Sequence, residues 1–316
     1  MSTTISRLIA LGGLMVLAGA CSNGADAPPG ARATVDASYD PVTEPSSDTD
    51  WGIVVEQAQW AYSERLDTLP IGEIVARIGQ NFLGTRYTPH TLEVPGGEGL
   101  VIELEELDCV TFVENVLALA RLVQQAPIGI LGEERVYKAF YSGILTNIRY
   151  REGLLDGYPS RLHYFSEWIT DNEAMGMVRH VSGELGGVPD DEPVDFMTTH
   201  PDAYRQLSED PSLLDALKDS EARLNRVPRT YIPEQGIASV ASQIRDGDII
   251  AATSTVKGLD IAHTGIALWV GGRLHLLHAP LVGDSVQISE VPLADRILGK
   301  TSQDGIMVAR PLDVRR

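Results

Sequence analysis

The chain has 316 residues, of which 43% are hydrophobic and 22% are charged. This balance excludes a disordered chain, a collagen-like repeat and a protein that spans a membrane many times. The 25 basic and 44 acidic residues give a net charge of −19, and such a surface repels phosphate backbones, which argues against nucleic-acid binding. Because Cys21 and Cys109 are the only cysteines, no framework of several disulfides can form.

The N-terminus has the pattern of an export signal. Arg7 is the only charged residue before Cys21, and the apolar stretch 8–20 is shorter than the ~20 residues of a membrane-spanning helix. Leu17-Ala18-Gly19-Ala20-Cys21 resembles a bacterial lipobox, in which the cysteine is acylated and becomes the first mature residue. We therefore predict a lipoprotein signal peptide over residues 1–20 and lipidation at Cys21, with an ordinary secretory peptide as the alternative.

The segment after Cys21 has the composition of a tether. Ser22 stands where an aspartate would resemble an inner-membrane retention signal, so the resemblance favours an outer-membrane anchor facing the periplasm of a Gram-negative host. A soluble periplasmic protein is the alternative. Residues 22–50 hold four prolines and six acidic residues against one basic residue, and such a segment cannot bury a core. We expect residues 21–50 to be disordered and residues 51–316 to form a single folded domain.

The first part of this domain carries helical patterns. Apolar residues recur at helical spacing over 51–66 and 70–83, and Asp108 is placed to cap a helix over 109–125. The middle part, 126–240, is mixed. It holds short helical patterns at 133–148, 164–178, 202–208 and 212–225, separated by Gly- and Pro-rich loops.

The last part of the domain changes to strand-like runs. Short apolar runs occupy 247–253, 263–270, 273–279, 286–291 and 305–311. Val270-Gly271-Gly272-Arg273 supplies a hairpin turn between the second and third runs. Helices followed by an antiparallel meander indicate an α+β fold, in which 126–240 is a mostly helical insertion.

Cys109 is a candidate nucleophile. It lies at the first turn of a predicted helix, where the partial positive charge of the helix end favours thiolate over thiol and lowers the cysteine pKa. The alternative is a small buried hydrophobic residue, which is what most free cysteines are. An exported protein has no evident use for an unpaired thiol, and this favours the nucleophile.

Two histidines on adjacent predicted strands offer a base and a group to orient it. His263 opens the second run and His278 closes the third, so an antiparallel hairpin brings them to the same end. His275 competes for the second role, but strand alternation turns it to the opposite face. No further histidine or carboxylate stands at a recognisable metal-ligand spacing, so a zinc site is the weaker interpretation.

These motifs together resemble the NlpC-type papain-like cysteine peptidases of bacterial cell walls. That resemblance makes Cys109 the nucleophile, His263 the general base and His278 the orienting residue. Val110-Thr111 after the cysteine and the long spacing to His263 depart from the compact peptidases and match an N-acetylmuramoyl-L-alanine amidase-like branch. The motifs shared with that branch are Leu83-Gly84-Thr85-Arg86-Tyr87, Leu107 to Glu114, Ser160-Arg161-Leu162-His163-Tyr164-Phe165, Gly258-Leu259-Asp260 and His278-Ala279.

The resemblance also suggests residues that bind substrate. Tyr87 is expected to face the cleft, and Thr111 matches the family pattern on the nucleophile helix. In the central motif, Arg161 would pair with a substrate carboxylate while His163 and Tyr164 donate hydrogen bonds. An ordinary surface turn is the alternative for this motif. Glu114 is expected to be a structural hydrogen-bonding residue.

The expected activity is therefore thiol-dependent hydrolysis of peptidoglycan amide bonds through a thioester, without a metal or organic cofactor. The lactoyl–L-alanine amide is the first candidate bond. The alternatives are an NlpC-type endopeptidase of the stem peptide and a non-catalytic cell-wall-binding lipoprotein. The sequence leaves open whether the substrate is the intact sacculus or released muropeptides, and it does not determine the oligomeric state.

Overall fold

The computed structural model describes residues 46–314, and its long helices lie close to the predicted helical patterns. The predicted signal peptide, Cys21 and most of the tether lie outside the described residues. The helices are α1 Asp48–Ser63, α2 Ile71–Asn81, α3 Cys109–Gln125, α4 Glu134–Arg149, α5 Phe165–Ala174, α6 Phe196–Thr199, α7 Arg205–Glu209, α8 Leu214–Leu224, α9 Glu234–Val240 and α10 Leu293–Leu298. No described helix combines the length and apolar character needed to cross a membrane.

The folded part begins before residue 51, where the tether was predicted to end. Ser47 caps α1 by accepting a hydrogen bond from the Asp50 N–H, and the Asp50 carboxylate accepts one from the Ser47 N–H in return. This reciprocal capping box satisfies two backbone donors at the helix start. The acidic residues at 48–50 therefore belong to a helix, and the predicted boundary was wrong by a few residues.

The strands form a small two-stranded sheet and a large antiparallel one. In chain order they are β1 Arg86–Tyr87, β2 Glu106–Leu107, β3 Val178–His180, β4 Val188–Asp190, β5 Arg229–Pro233, β6 Ile249–Ser254, β7 Ile261–Val270, β8 Arg273–His278, β9 Gln287–Ile288 and β10 Gln303–Pro311. β1 pairs with β2 in parallel. The large sheet has the order β4-β5-β10-β6-β7-β8-β9, with β3 also paired to β10.

Only part of the large sheet is the predicted meander. β6, β7, β8 and β9 are consecutive neighbours, and Gly271 and Gly272 make the tight β7–β8 turn with φ of 56° and 78°. β10 then crosses back to pair with β6. The segment 126–240 contributes β3, β4 and β5, so this predicted insertion is built into the sheet rather than only packed on it.

Each face of the large sheet packs against its own cluster of buried hydrophobic side chains. One face packs against helices α1–α5 and contains the predicted apolar side of α2, including Ile74 and Ile78. The opposite face packs against α9 and α10. A third cluster lies within the middle segment, around Tyr164 and Met197. The fold is therefore α+β, with helix α3 on one face of the sheet and helix α10 on the other.

Candidate active site

Asp108 fixes the start of the helix that carries Cys109. Its Oδ1 accepts hydrogen bonds from the N–H groups of Val110 and Thr111 at 3.0 and 2.7 Å. In return, the Thr111 hydroxyl accepts one from the Asp108 N–H at 2.9 Å, which completes a capping box. Because Cys109 is the first helical residue, its own N–H has no carbonyl of the helix to bond. The predicted cap is confirmed, and it places the thiol and a backbone donor together.

Strand β7 holds the nucleophile helix from the side of the sheet. The Thr264 hydroxyl donates a hydrogen bond to the Cys109 carbonyl at 2.7 Å. Both the backbone and the side chain of Thr264 also act to lower the pKa of the Cys109 thiol. His263 precedes Thr264 on the strand, so the contact at Thr264 brings the backbone of His263 close to the start of the nucleophile helix.

His263 and His278 are in direct contact. His263 Nε2 lies 2.7 Å from His278 Nδ1, and the two rings meet edge to face. Strands β7 and β8 are paired through Ile266 and Leu277, so Gly265 comes opposite His278 and His263 lies diagonally from it on the same face. A Cβ at position 265 would lie only 2.9 Å from the His278 Cβ. The glycine therefore gives the two imidazoles room to meet.

His275 is held elsewhere. Its Nδ1 lies 2.8 Å from the Ser289 carbonyl oxygen, and its strand partner is Leu268 rather than a residue near His263. The structure thus places His278, and not its competitor His275, against His263, as strand alternation predicted.

Burial and nearby positive charges favour the neutral form of both histidines. Burial is the largest cause and lowers the pKa of His278 to about 3. Burial also lowers the pKa of His263 far below its usual value, with a further contribution from His278. The positive charges of Arg296 and Lys300 act in the same direction on both rings. These contributions favour the neutral imidazole of His263, which keeps one ring nitrogen able to accept a proton.

The thiol is also in its neutral form in the free site. Burial, followed by the negative charge of Asp108, raises the pKa of the Cys109 thiol to about 11. The predicted lowering at the helix start was therefore wrong for the net value, because desolvation outweighs the donors around the sulfur. After burial, the charges of Cys109 and Asp108 also raise the pKa of Tyr87, while its predicted contact with substrate stays a prediction.

The model of the N-acetylmuramoyl-L-alanine amidase-like family matches residues 77–306, which include every residue of this site. The chain belongs to this family. No curated relative matches it. Membership of this family shows that the protein is a hydrolase. The activity that describes the family is that of a peptidoglycan amidase.

Solved structures support the assignment to the amidase-like family. An N-acetylmuramoyl-L-alanine amidase from Bacteroides uniformis is 35% identical, covers 77% of this chain and 99% of its own, and has a TM-score of 0.71. A protein from Bacteroides fragilis described as a putative xylanase is 34% identical, covers 73% and 98%, and has a TM-score of 0.66. A Legionella pneumophila protein at 20% identity, covering 84% and 97% with a TM-score of 0.60, shows the shared fold.

The predicted substrate residues of the central motif are internal in this family member. Arg161 is 1% exposed and its guanidinium pairs with Glu93 at 2.7 Å and Glu98 at 3.3 Å. Both carboxylates belong to the loop between β1 and β2, so Arg161 anchors the segment that leads into the nucleophile helix. A guanidinium that is buried and already paired is not placed to meet a substrate carboxylate.

His163, Tyr164 and Thr111 are likewise turned inward. His163 Nε2 lies 2.8 Å from the Tyr158 carbonyl oxygen, and burial lowers its pKa far below the usual value. The Tyr164 hydroxyl donates to Glu221 at 2.9 Å. Thr111 is 1% exposed and serves the helix cap. The structure therefore assigns these predicted substrate residues to packing and capping. Glu114 is structural as expected, since it forms a buried ion pair with Arg149 at 2.7 Å.

The Gly258-Leu259-Asp260 motif has a clear structural role in this family member. The buried Asp260 carboxylate accepts hydrogen bonds from the Ser166 N–H at 2.8 Å and from the Ile261 N–H at 2.7 Å. The first bond reaches the start of α5 in the middle segment, and the second lies at the start of β7. Asp260 thus ties the middle segment to the strand that carries His263.

Arg296 and Lys300 were missed by the sequence reasoning. They lie in and just after helix α10, between the last two predicted strands, yet their charges lower the pKa of His263 and His278. The one available signal was their position within 25 residues of His278, and only the return of α10 onto the sheet gives that position meaning.

Two other features carry no chemistry of the site. Asp50, Glu103 and Glu105 bring carboxylate oxygens within 4.8 Å of one another, but both Asp50 oxygens accept protein hydrogen bonds, from Ser47 and from the Leu104 N–H. An open cleft of about 530 Å³ lies along α2 and the end of β10 and contains neither Cys109 nor the histidine pair.

Proposed function

We propose that the protein is a thiol-dependent amidase that hydrolyses the amide between the muramyl lactoyl group and L-alanine in peptidoglycan or its fragments. The observation that carries the proposal is the 2.7 Å contact between His263 Nε2 and His278 Nδ1, on a strand whose next residue, Thr264, bonds to the Cys109 carbonyl. The family and the Bacteroides uniformis amidase support the scissile bond. The helix on an antiparallel sheet supports the papain-like NlpC-type core.

The contact between the histidines determines which nitrogen can act as the base. With Nε2 of His263 directed at His278, Nδ1 is the nitrogen left to accept the Cys109 proton. A neutral His263 that accepts at Nδ1 carries its own proton on Nε2 and donates it to His278 Nδ1. His278 then stabilises the imidazolium that forms on His263, as the third member of a triad does.

The first half-reaction forms a thioester. As Cys109 Sγ attacks the amide carbonyl carbon, its proton passes to His263 Nδ1 and the carbonyl electron pair moves to oxygen. The Cys109 N–H at the helix start donates to that oxyanion. The oxyanion then collapses, the C–N bond breaks, and the amine of L-alanine leaves with the proton from His263.

The second half-reaction restores the thiol. Water gives a proton to His263 as it attacks the thioester carbonyl, the C–S bond breaks, and His263 returns the proton to Cys109. The products are a free lactoyl carboxylate and a peptide that begins with L-alanine. No metal takes part in this sequence of steps.

The test is mass spectrometry of purified muropeptides after incubation with the protein. Release of a stem peptide beginning with L-alanine supports the amidase, whereas a cut inside the stem supports the NlpC-type endopeptidase. Cleavage unaffected by Cys109→Ala contradicts a thiol mechanism at either bond, whereas no cleavage at all favours a non-catalytic wall-binding protein. Xylan is the control substrate, because glycoside hydrolysis uses paired carboxylates and this site has a thiol and two imidazoles.

We further propose that acylated Cys21 anchors the protein to the outer membrane, facing the periplasm. The lipobox-like sequence before Cys21 supports this, and the segment up to the cap of α1 is long enough to act as a tether. Replacing Cys21 with Ser and fractionating the cells tests the anchor. A variant that still partitions with membranes would show that lipidation at this residue is not what holds the protein there.

A further inference from the structure

A side-chain hydrogen bond joins the residue that bears the thiol to the strand that bears the imidazole. The Thr264 hydroxyl donates to the Cys109 carbonyl at 2.7 Å, across 155 positions of sequence. That carbonyl is attached to the Cα from which the thiol extends, and His263 directly precedes Thr264 on β7. The bond therefore sets the spacing between the backbones of Cys109 and His263.

Other contacts fix both ends of this bond. Thr264 is 1% exposed and pairs with Ala251 of β6, while β8 pairs with β7 on the other side. At the helix end of the bond, the capping box of Asp108 holds the first turn of α3. Because both partners belong to ordered elements, a change in the length of the bond shifts the helix start as a unit against the strand.

A β-bulge lies immediately before His263. Ala252 of β6 pairs with His263, but the next residue of β6 pairs with Ile261, so Ala262 is an extra residue in β7. A bulge bends its strand and disrupts the ladder locally. Thr264 follows the bulge in regular register, and it is therefore placed to fix β7 against α3 close to the point where the ladder is interrupted.

Helix α3 does not need this bond for its own stability. The Cys109 carbonyl belongs to the first residue of the helix, so it accepts the N–H four residues later as part of the helix ladder. A carbonyl oxygen can accept a second hydrogen bond, and Thr264 supplies it. What this second bond adds is a connection between helix and sheet at the residue that carries the thiol.

We propose that Thr264 is a positioning residue, whose hydroxyl holds the Cys109 thiol at the distance from the His263 imidazole that proton transfer needs. The inference rests on the proposed function, in which the thiol gives its proton to that imidazole. Replacing the hydroxyl with a methyl group shows the displacement at stake. A carbon atom lies about 3.3–3.6 Å from a carbonyl oxygen in close contact, so Thr264→Val must move the start of α3 away from β7 by about 0.6–0.9 Å.

Three variants separate the hydrogen bond from the packing. Thr264→Ser keeps the hydroxyl, Thr264→Ala removes it without adding a clash, and Thr264→Val replaces it with a methyl group. Thr170→Val is the matched control, because the Thr170 hydroxyl also donates to a backbone carbonyl, that of Ser166 at 3.0 Å, but within α5. Each protein is assayed for kcat and KM on a muropeptide at a temperature where it is fully folded.

Since misplacing a catalytic group by 1 Å can cost about 100-fold in rate, we expect kcat to fall by about 10- to 100-fold in Thr264→Val and Thr264→Ala, with KM unchanged. Thr264→Ser should keep most of the wild-type kcat, and Thr170→Val should leave it unchanged. Wild-type kcat in Thr264→Ala, or an equal loss of kcat in Thr264→Ser, would overturn the proposal while leaving the amidase intact.

Alkylation of Cys109 by iodoacetamide tests the inference without any cleavage. Rates are measured for wild type, His263→Ala, Thr264→Ala and the double variant, which form a double-mutant cycle. If Thr264 acts by positioning the thiol for His263, then His263→Ala should slow alkylation strongly in wild type and only weakly in Thr264→Ala. Equal effects of His263→Ala in the two backgrounds would refute the positioning role, whether or not the protein cleaves muropeptides. No effect of His263→Ala in either background would contradict the proposed base and the inference with it.

Discussion

Replacing Gly265 with Ala tests whether the contact between the two histidines controls activity. An added Cβ would lie 2.8 Å from the Leu277 carbonyl oxygen and 2.9 Å from both the His278 Cβ and the Leu276 Cδ1. Two of these atoms are backbone or Cβ, so they cannot turn away by a rotamer change. Strand β8 must retreat by about 0.5 Å to reach the 3.4 Å of an ordinary contact.

That displacement acts on both stability and geometry. Overpacking of this kind costs about 1–3 kcal/mol of unfolding free energy. A retreat of β8 would lengthen the 2.7 Å contact between His263 Nε2 and His278 Nδ1 to the limit of a hydrogen bond. Since misplacing a catalytic group by 1 Å can cost about 100-fold in rate, we expect kcat to fall by about 10- to 100-fold.

The assay measures kcat on a muropeptide together with the thermal midpoint for three glycine variants. Gly52→Ala on α1 and Gly143→Ala on α4 are the matched controls, because nothing lies within 4 Å of an added Cβ at either site. Alanine should stabilise those helices by up to about 1 kcal/mol and leave kcat unchanged. Wild-type kcat in Gly265→Ala, measured where the variant is fully folded, would refute the reasoning.

Three further predictions follow from single contacts. Because the pKa of Cys109 is raised to about 11, its rate of alkylation by iodoacetamide should rise about tenfold per pH unit from pH 7 to 9. Asp108→Asn keeps the cap but removes the negative charge, so it should move this pH profile to lower pH. An alkylation rate that is level from pH 7 to 9 would contradict the raised pKa. Arg161→Gln should lower the unfolding free energy by about 3–5 kcal/mol in a denaturant titration, while the KM of the folded variant stays unchanged. A raised KM without loss of stability would instead indicate that Arg161 binds substrate. Asp260→Ala leaves the Ser166 and Ile261 N–H groups unpaired, so it should lower the unfolding free energy by about 1–3 kcal/mol and increase amide hydrogen exchange at the start of α5. Unchanged exchange there would argue against a role of Asp260 in joining the middle segment to β7.

Local patterns were enough to predict the elements that carry the thiol and the imidazoles. The cap at Asp108 and the two-glycine turn depend on residues that are close in sequence, and both are confirmed. The meeting of His263 and His278 also follows from strand alternation and from the length of one hairpin. These features need no knowledge of the rest of the chain, because their geometry is determined over a few residues.

The roles of charged residues could not be predicted in the same way. Arg161 has the residue type of an anion-binding group, but Glu93 and Glu98 reach it from a loop almost seventy residues earlier and neutralise it. Arg296 looks like an ordinary helix charge, but with α10 packed on the sheet its charge acts to lower the pKa of both histidines. Whether a guanidinium is structural or free to bind a substrate depends on these distant partners.

The thiol shows the same division between local and distant effects. Its place at a helix start was determined by the sequence alone, but its raised pKa results from burial and from the nearby Asp108 charge, which the helix end does not overcome. The sequence by itself was enough to predict the capped helix of Cys109 and the hairpin that carries His263 and His278. The tertiary structure alone decided which polar groups are paired, because pairing and desolvation depend on segments that meet only in the folded chain.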